Sequence, residues 1–172
     1  MNITINNVTK RFESLPVYEN YSRSFQEGAW NILGGPSGCG KTTLINMILG
    51  FEKPDAGSII GVPTKVSVVF QEDRLCMGFS ALENVLSAGS PRNKVEAMLI
   101  LEELGLDRPD ALVSTLSGGQ KRRVAIARAL FRQADLYIFD EPFKGLDEET
   151  LQRVRSCMER RTAGKTVILV TH

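Results

Sequence analysis

The stretch Gly35-Pro36-Ser37-Gly38-Cys39-Gly40-Lys41-Thr42 decides the fold, because it fits the pattern G-x-x-x-x-G-K-[ST] of phosphate-binding loops. The apolar residues 29–33 before it can form a strand, and residues 43–49 after it can form an apolar-faced helix that ends at Gly50. A strand, a glycine-rich turn and a helix N-terminus in this order are the context that such a loop requires. The sequence therefore predicts an α/β fold that binds a nucleoside triphosphate.

The residue types of this loop explain how it would hold phosphate. Glycine leaves room for backbone N–H groups to turn toward phosphate oxygens, and the helix N-terminus adds partial positive charge. Lys41 can reach the β- and γ-phosphates, while the hydroxyl of Thr42 offers a hard oxygen ligand to Mg²⁺. The residues predicted to contact the nucleotide here are Gly35, Pro36, Ser37, Gly38, Cys39, Gly40, Lys41, Thr42 and Thr43.

Two adjacent acids follow another apolar run, residues 136–139. A run that is apolar on both faces is typical of a buried parallel strand, and such strands deliver ligand-binding residues to the carboxyl edge of the sheet. Asp140 is the candidate to hold Mg²⁺, and Glu141 is the candidate to orient and deprotonate an attacking water. The alternative is that the pair merely begins a solvated turn before Pro142.

A second glycine cluster, Ser117-Gly118-Gly119-Gln120, opens a helix. Ser117 and Gln120 have the spacing of a capping pair, and the adjacent glycines expose helix N-terminal amides. This turn is therefore a second candidate phosphate site, and two such sites in one domain favour an arrangement of two subunits. An ordinary capped helix is the alternative.

Composition excludes several classes of protein. At 172 residues the chain suits one domain, and a formal net charge of +1 with 24% charged residues gives no support for nucleic-acid binding. We expect the basic run Lys121-Arg122-Arg123 to line a solvated helix face. No apolar run approaches the roughly 18 residues of a membrane-spanning helix, and the start of the chain lacks the pattern of a signal peptide. These features predict a soluble protein.

Three cysteines, Cys39, Cys76 and Cys157, are an odd number without C-x-x-C spacing. A disulfide framework or a zinc site is therefore not expected, and a reducing cytosol fits best. Cys39 lies in the phosphate loop near a helix N-terminus, a position that favours reactivity. We predict that a maleimide labels it and that MgATP protects it; an inert small filler is the alternative.

The order of elements predicts one domain, residues 1–172, with three parts. Residues 1–33 form a β-rich start, and residues 34–71 with 131–172 form the core. Residues 72–130 form a helical insertion that includes a capping box at Ser80 and Glu83 and a helix over residues 91–104 with Val95, Met98, Leu99 and Glu102 at helical spacing. Asp147 is predicted to cap a further helix after the two acids.

Two segments of the chain resemble those of a known family. Residues 116–130, LSGGQKRRVAIARAL, resemble the signature segment of ATP-binding cassette (ABC) ATPases, and residues 136–147, LYIFDEPFKGLD, are similar to their second phosphate motif and D-loop. The resemblance implies an α/β P-loop NTPase core with a mostly parallel sheet flanked by helices, an N-terminal antiparallel β subdomain and an inserted helical subdomain. It also implies ATP and Mg²⁺ as ligands and ATP hydrolysis as the activity.

The resemblance assigns further residues position by position. Phe12 would stack on adenine, with Tyr18 as a weaker candidate, and Gln71 would approach Mg²⁺ and the attacking water. Asp147 would cross a dimer interface, and His172 would contact the γ-phosphate. The residues implied to bind the γ-phosphate held by a second subunit are Ser117, Gly118 and Gly119, with Gln120 beside them.

The resemblance also implies partners. These are a second ATPase subunit, most simply a homodimer, transmembrane permease subunits and a solute-binding protein, which would place the chain on the cytoplasmic face of the cell membrane. Residues 68–75, VVFQEDRL, are similar to ATPase subunits of importers for nitrate, sulfonate or taurine-like solutes, although Cys76-Met77-Gly78-Phe79 depart from those relatives and leave the solute open.

Family members continue past the histidine that corresponds to His172, so we expect the chain to be a C-terminally truncated form or to rely on a partner. This ending motivates an alternative function, a partner-dependent subunit that binds nucleotide but hydrolyses it poorly. An ABC protein of DNA repair or translation is less expected, because the chain has neither a long coiled-coil insertion nor tandem cassettes, and the signature segment disfavours a small-molecule kinase.

Overall fold

The computed structural model describes residues 1–13, 15–89 and 93–171, and its strands form two sheets. In chain order the strands are β1 (Ile3–Phe12), β2 (Leu15–Phe25), β3 (Trp30–Gly34), β4 (Ala56–Ile60), β5 (Val66–Val69), β6 (Leu136–Asp140) and β7 (Thr166–Thr171). The helices are α1 (Lys41–Ile48), α2 (Ala81–Leu86), α3 (Lys94–Glu103), α4 (Gly118–Phe131) and α5 (Glu148–Arg161), with a 3₁₀ turn at Val113–Thr115.

The core sheet is parallel, with the strand order β3-β7-β6-β5. Alternate residues of β6 face opposite sides: Leu136 and Ile138 pack in a cluster with α1 and β1, whereas Tyr137 and Phe139 pack in a cluster with α2 to α5. Both faces of the strand are covered, so its residues do not alternate between apolar and polar ones as they do in a strand with one face in water. This explains the unbroken apolar run. The strand predicted at residues 136–139 is confirmed.

The second sheet is antiparallel, with the order β2-β1-β4. Ile3, Ile5 and Val8 of β1 are buried and pack on the same side of the core sheet as α1. This sheet therefore covers one face of the parallel sheet near the phosphate loop. It contains β4, which lies in the segment 34–71 assigned to the core, as well as β1 and β2 from the predicted β-rich start.

The helices between β5 and β6 cover the other face. The predicted capping box opens α2, with the Glu83 N–H donating to Ser80 Oγ at 3.2 Å and the Ser80 N–H donating to Glu83 Oε2 at 2.7 Å. The sequence predicts that the next helix starts at Pro91, which lies outside the described residues; α3 begins at Lys94.

The face of α3 differs from the expected one. Its buried side chains are Ala97, Ile100 and Leu101, whereas the predicted stripe residues Val95, Met98 and Leu99 are exposed. Since this helix is apolar on more than one side, helical spacing alone does not identify the buried side. In the part of the chain that the structure describes, no helix has the length and apolar character needed to span a bilayer.

Candidate nucleotide-binding site

The phosphate loop joins β3 to α1 through a backbone conformation at Gly40 that strongly favours glycine. This residue caps α1 in the left-handed conformation with φ 93°. A Cβ placed on it would lie 2.6 Å from Val17 Cγ1 and 3.0 Å from Tyr18 Cε2, both on β2. The shape of the loop is therefore set by its contact with the antiparallel sheet as well as by its own sequence.

Lys41 is held at this loop. Its Nζ donates hydrogen bonds to the carbonyl oxygens of Gly35 at 2.5 Å and Pro36 at 2.9 Å, and the residue is only 8% exposed. Two of the three ammonium donors therefore fix the side chain against the loop that it is predicted to serve.

The two acids lie at the carboxyl end of β6. Asp140 pairs in register with Val170 of β7 and is buried. Glu141 has the left-handed φ of 49°, its side chain is 9% exposed, and the Lys144 Nζ lies 3.5 Å from its Oε2. A non-glycine residue in this region carries strain, and such strain is common at functional sites.

One cavity of about 200 Å³ brings the predicted residues together. The parallel strands β3, β6 and β5 all end at the same edge of the sheet, so the phosphate loop, the two acids and Gln71 converge there. The cavity is lined by Ser37, Gly38, Gly40, Lys41, Thr42, Thr43, Gln71, Asp140 and Glu141. This edge is therefore the candidate nucleotide site.

The glycine turn before α4 lies apart from this cavity. Its predicted capping pair is confirmed, because the Gln120 N–H donates to Ser117 Oγ at 3.3 Å and the Ser117 N–H donates to Gln120 Oε1 at 2.8 Å. A Cβ on Gly119 would be 3.5 Å from the Gly145 carbonyl oxygen, which places this turn against the loop that precedes α5. Within the described ranges, none of residues 117–120 lines the cavity.

Asp147 caps α5, as its sequence context predicts. Its Oδ1 accepts a hydrogen bond from the Thr150 N–H at 2.9 Å, and this bond lowers the pKa of the exposed Asp147 carboxyl. The predicted role of Asp147 at a dimer interface stays a prediction.

The aromatic candidates lie on the antiparallel sheet. Phe12 is 44% exposed, and its ring centroid is 5.1 Å from the Lys10 Nζ. Tyr18 lies against Gly40, and its burial raises the pKa of Tyr18 to about 12. Neither ring lines the described cavity, so their contact with adenine stays a prediction. His172 lies outside the described residues.

One expectation about charge is wrong. Arg122, predicted to lie on a solvated face, is 5% exposed, and its guanidinium donates to the carbonyl oxygens of Phe70 at 2.6 Å and Glu141 at 2.8 Å. Carbonyls at strand ends need donors once the sheet ladder stops, and a buried guanidinium supplies several. A signal was present in the sequence, because Arg122 is one helical turn before Ile126 and two turns before Ala129, on the apolar stripe of α4.

A parallel sheet whose strand ends gather a glycine-rich phosphate loop and two acids defines a P-loop nucleotide-binding domain. The profile described as ABC transporter matches residues 18–144. The chain therefore belongs to the ABC transporter family, which implies that it binds a nucleotide.

Relatives of this chain cover nearly all of it. It is 40% identical to the aliphatic sulfonates import ATP-binding protein SsuB of Rhodopseudomonas palustris over 99% of this chain and 65% of that protein. It is 38% identical to the aliphatic sulfonates import ATP-binding protein SsuB 1 of Nocardia farcinica over 99% of this chain and 71% of that protein. The chain thus spans about two thirds of the length of these relatives.

A solved structure with a similar fold is the dimeric structure of MJ0796, a bacterial ABC transporter cassette. The TM-score is 0.88 at 30% identity, and the match covers 99% of this chain and 88% of that one. The predicted fold class, an α/β P-loop domain with an antiparallel sheet and helices around a parallel core, is confirmed.

Proposed function

We propose that this chain binds ATP with Mg²⁺ and hydrolyses it as the ATPase subunit of an ABC importer. The observation that carries the proposal is the single cavity lined by the phosphate loop, Gln71, Asp140 and Glu141. Every residue type that phosphoryl transfer to water requires is present there: amides and an ammonium for phosphate, hard oxygens for a cation, and a carboxylate for a base.

Each residue that lines the cavity would have a role that follows from its chemistry. The loop amides and Lys41 would balance the negative charge that develops on the β- and γ-phosphate oxygens. Glu141 would accept a proton from the attacking water through a carboxylate oxygen, and the Gln71 side chain would orient that water. Glu141 lines this cavity, and its strained left-handed backbone supports a functional role for it.

The cavity suits Mg²⁺ as the cation. Its available donors, the Thr42 hydroxyl, the Asp140 carboxylate and the Gln71 amide oxygen, are all hard oxygens. Among residues 1–13, 15–89 and 93–171, no group of three or more His, Cys, Asp or Glu side chains could hold a metal ion. Mg²⁺ fits such a sparse set, because it usually takes one or two carboxylates together with substrate phosphates and water, and when bound it would neutralise phosphate charge.

A second copy of the chain would complete the site. The Ser117 turn has the capped, glycine-rich form of an anion site yet does not line the described cavity of its own chain. The similar cassette MJ0796 is described as dimeric. In this arrangement Ser117, Gly118, Gly119 and Gln120 would face the γ-phosphate held by the partner copy, with Asp147 at the interface and His172 beside the γ-phosphate.

The transported solute is proposed from the relatives. Both similar proteins are described as ATP-binding proteins for import of aliphatic sulfonates, so we assign this chain to an importer of small sulfonates. Its partners would be permease subunits and a solute-binding protein, and it would lie at the cytoplasmic face of the membrane. Uptake of isotope-labelled ethanesulfonate should fall to background in cells that lack this chain and return on its re-expression. Normal uptake in its absence would reject the assigned solute and leave the ATPase proposal intact.

Replacement of the proposed base tests the enzymatic proposal. Glu141→Gln should lower the rate of phosphate release by about 100-fold or more, because the amide cannot accept the proton of water. Affinity for a fluorescent ATP analogue should stay within about threefold, and a dimer should accumulate with MgATP in light-scattering measurements.

The control is Glu159→Gln. This exposed side chain on α5 pairs with Arg155 at 3.0 Å, far along the helix from its capped start, and its loss should leave turnover unchanged. Unchanged turnover in Glu141→Gln would remove Glu141 from the base role. A wild-type chain that binds nucleotide without releasing phosphate would instead support the poorly hydrolysing alternative.

A further inference from the structure

The guanidinium of Arg122 joins segments that the sequence keeps far apart. Arg122 lies on α4, one turn after the Ser117 cap, and is 5% exposed. Arginine is rarely buried to this extent unless nearby acceptors satisfy its donors, so its contacts identify what it holds.

One set of contacts reaches the segment after β5. The Arg122 Nη1 donates to the Phe70 carbonyl oxygen, which belongs to the peptide group before Gln71, at 2.6 Å and to Asp73 Oδ1 at 3.0 Å, and the Gln71 carbonyl oxygen lies 3.4 Å from the same nitrogen. This nitrogen therefore fixes the main chain at Gln71, the residue assigned to orient water.

The other set reaches the end of β6. The Arg122 Nη2 donates to the Glu141 carbonyl oxygen at 2.8 Å and to the Asp140 carbonyl oxygen. The same Glu141 carbonyl accepts from the Lys144 N–H at 3.2 Å, and the Glu141 N–H donates to the Val170 carbonyl oxygen at 3.2 Å. The left-handed Glu141 is thus held on both sides, which is what a strained residue needs in order to persist.

We propose that Arg122 is a positioning residue for hydrolysis. Its two terminal nitrogens hold the water-orienting Gln71 and the base Glu141 at a fixed separation, and both are anchored to the helix that begins at the Ser117 turn. The inference rests on the proposed roles of Glu141 and Gln71. Arg122 does not line the described cavity, so it acts through main-chain carbonyls and not by touching the substrate.

A neighbouring arginine provides a matched comparison. Arg128, two turns further along α4, donates to the carbonyl oxygens of Asp73 at 3.0 Å and Arg74 at 2.8 Å. These two bonds tie α4 to the segment after β5, whereas the bonds of Arg122 tie it to that segment and to residues 140–141. Replacement of Arg128 should loosen one segment, whereas replacement of Arg122 should loosen both.

The test compares Arg122→Gln, Arg122→Lys and Arg128→Gln by kinetics and by amide hydrogen exchange. Arg122→Gln should lower kcat about 10- to 100-fold, because small displacements of reacting groups have effects of this size, while KM and the affinity for a fluorescent ATP analogue stay within about threefold. Exchange of the amides of residues 70–74 and 141–146 should accelerate at least tenfold, with that of β3 and α1 unchanged.

The lysine variant separates charge from geometry. One ammonium can keep a bond to one segment but cannot span both as the planar guanidinium does, so Arg122→Lys should fold normally and recover only part of kcat. Arg128→Gln should accelerate exchange at residues 70–74 but not at 141–146. If Arg122→Gln does not fold, Arg122→Lys decides the question by the same two measurements.

Two results would overturn the inference: unchanged kcat with unchanged exchange at residues 141–146, or a loss of nucleotide affinity as large as the loss of kcat together with faster exchange everywhere. Failure of the proposed function would appear differently. Glu141→Gln would then turn over normally, while the local exchange change in Arg122→Gln would persist.

Discussion

The chain contains two glycine-rich helix starts, and they are built in opposite ways. At α1 the capping residue is Gly40, with φ 93°, and among the described residues no side chain caps the helix. At α4 the capping residue is Ser117, in extended conformation, with a complete capping box to Gln120. Both expose backbone amides, but only the second satisfies part of its own need for acceptors.

This difference separates a complete anion site from a partial one. The start of α1 relies on an acceptor from outside the helix, and β2 holds its backbone in place, so it suits phosphate bound by the same chain. The start of α4 is stable by itself and offers fewer amides, so it suits a ligand that is already held elsewhere. A phosphate shared between two copies would meet both requirements.

Replacement of Gly40 or Gly118 by alanine should give the largest difference between the two helix starts, measured as affinity for nucleotide. Gly40→Ala should reduce affinity for a fluorescent ATP analogue at least about 100-fold, because its Cβ meets Val17 and Tyr18 and its φ disfavours side chains. Gly118→Ala meets nothing within 4 Å and should leave this affinity unchanged. Both affinities are measured by fluorescence titration, with circular dichroism to verify folding.

An equal loss of nucleotide affinity in Gly40→Ala and Gly118→Ala would contradict the difference between the two helix starts. It would mean that the start of α4 contributes to nucleotide binding within one chain. Retention of affinity in Gly40→Ala would show that the loop can rearrange around a side chain.

Replacement of the two capping serines, Ser117 and Ser80, should give a difference of intermediate size, measured as turnover. Ser117→Ala and Ser80→Ala each remove one side-chain cap and should lower the free energy of unfolding by about 0.5–2 kcal/mol, measured by urea denaturation. Turnover should fall about tenfold in Ser117→Ala alone, since Ser80 has no proposed role in the nucleotide site. Equal turnover in both would reduce Ser117 to an ordinary cap.

The smallest difference should be the effect of MgATP on the rate of cysteine labelling, measured for the loop residue Cys39 and for Cys76. Cys39 in the phosphate loop and Cys76 near α2 are both exposed, whereas burial raises the pKa of the Cys157 thiol to about 12. A maleimide should label Cys39 and Cys76 and spare Cys157 in the folded chain. MgATP should slow labelling of Cys39 severalfold, measured by mass spectrometry of peptides, and leave Cys76 unaffected; protection of both, or of neither, would contradict a nucleotide that covers the loop.

The features that the sequence predicts correctly are those that depend on one local rule. Capping boxes at Ser80 and Ser117 need only four residues, and the continuous apolar run of β6 needs only burial on both faces. The convergence of the phosphate loop with Asp140 and Glu141 was also predictable, because parallel strands end at one edge of a sheet.

The sequence does not predict which side chains are buried where contacts with distant segments decide their burial. The burial of Arg122 depends on carbonyls at Phe70 and Glu141, which the chain brings to α4 only by folding. The exposed side of α3 could not be identified, because Val95 and Met98 are as apolar as the buried Ile100. On α3 the tertiary neighbours, and not the local pattern, select the buried face, whereas on α4 the apolar stripe includes position 122, and a charged side chain is buried there because those carbonyls accept its hydrogen bonds.

The strand order has a consequence for how the molecule is made. β3 and β6 bring the phosphate loop and the two acids, but β7 lies between them, with Thr171 beside Gly34 and Val170 beside Asp140. Neighbouring strands are about 4.8 Å apart, so β3 and β6 are separated by roughly 10 Å once β7 is inserted. A ribosome completes β3 and β6 before β7. A nascent chain therefore carries every residue that lines the cavity before β7 brings them together, and we expect nucleotide to stabilise only a chain that has incorporated β7.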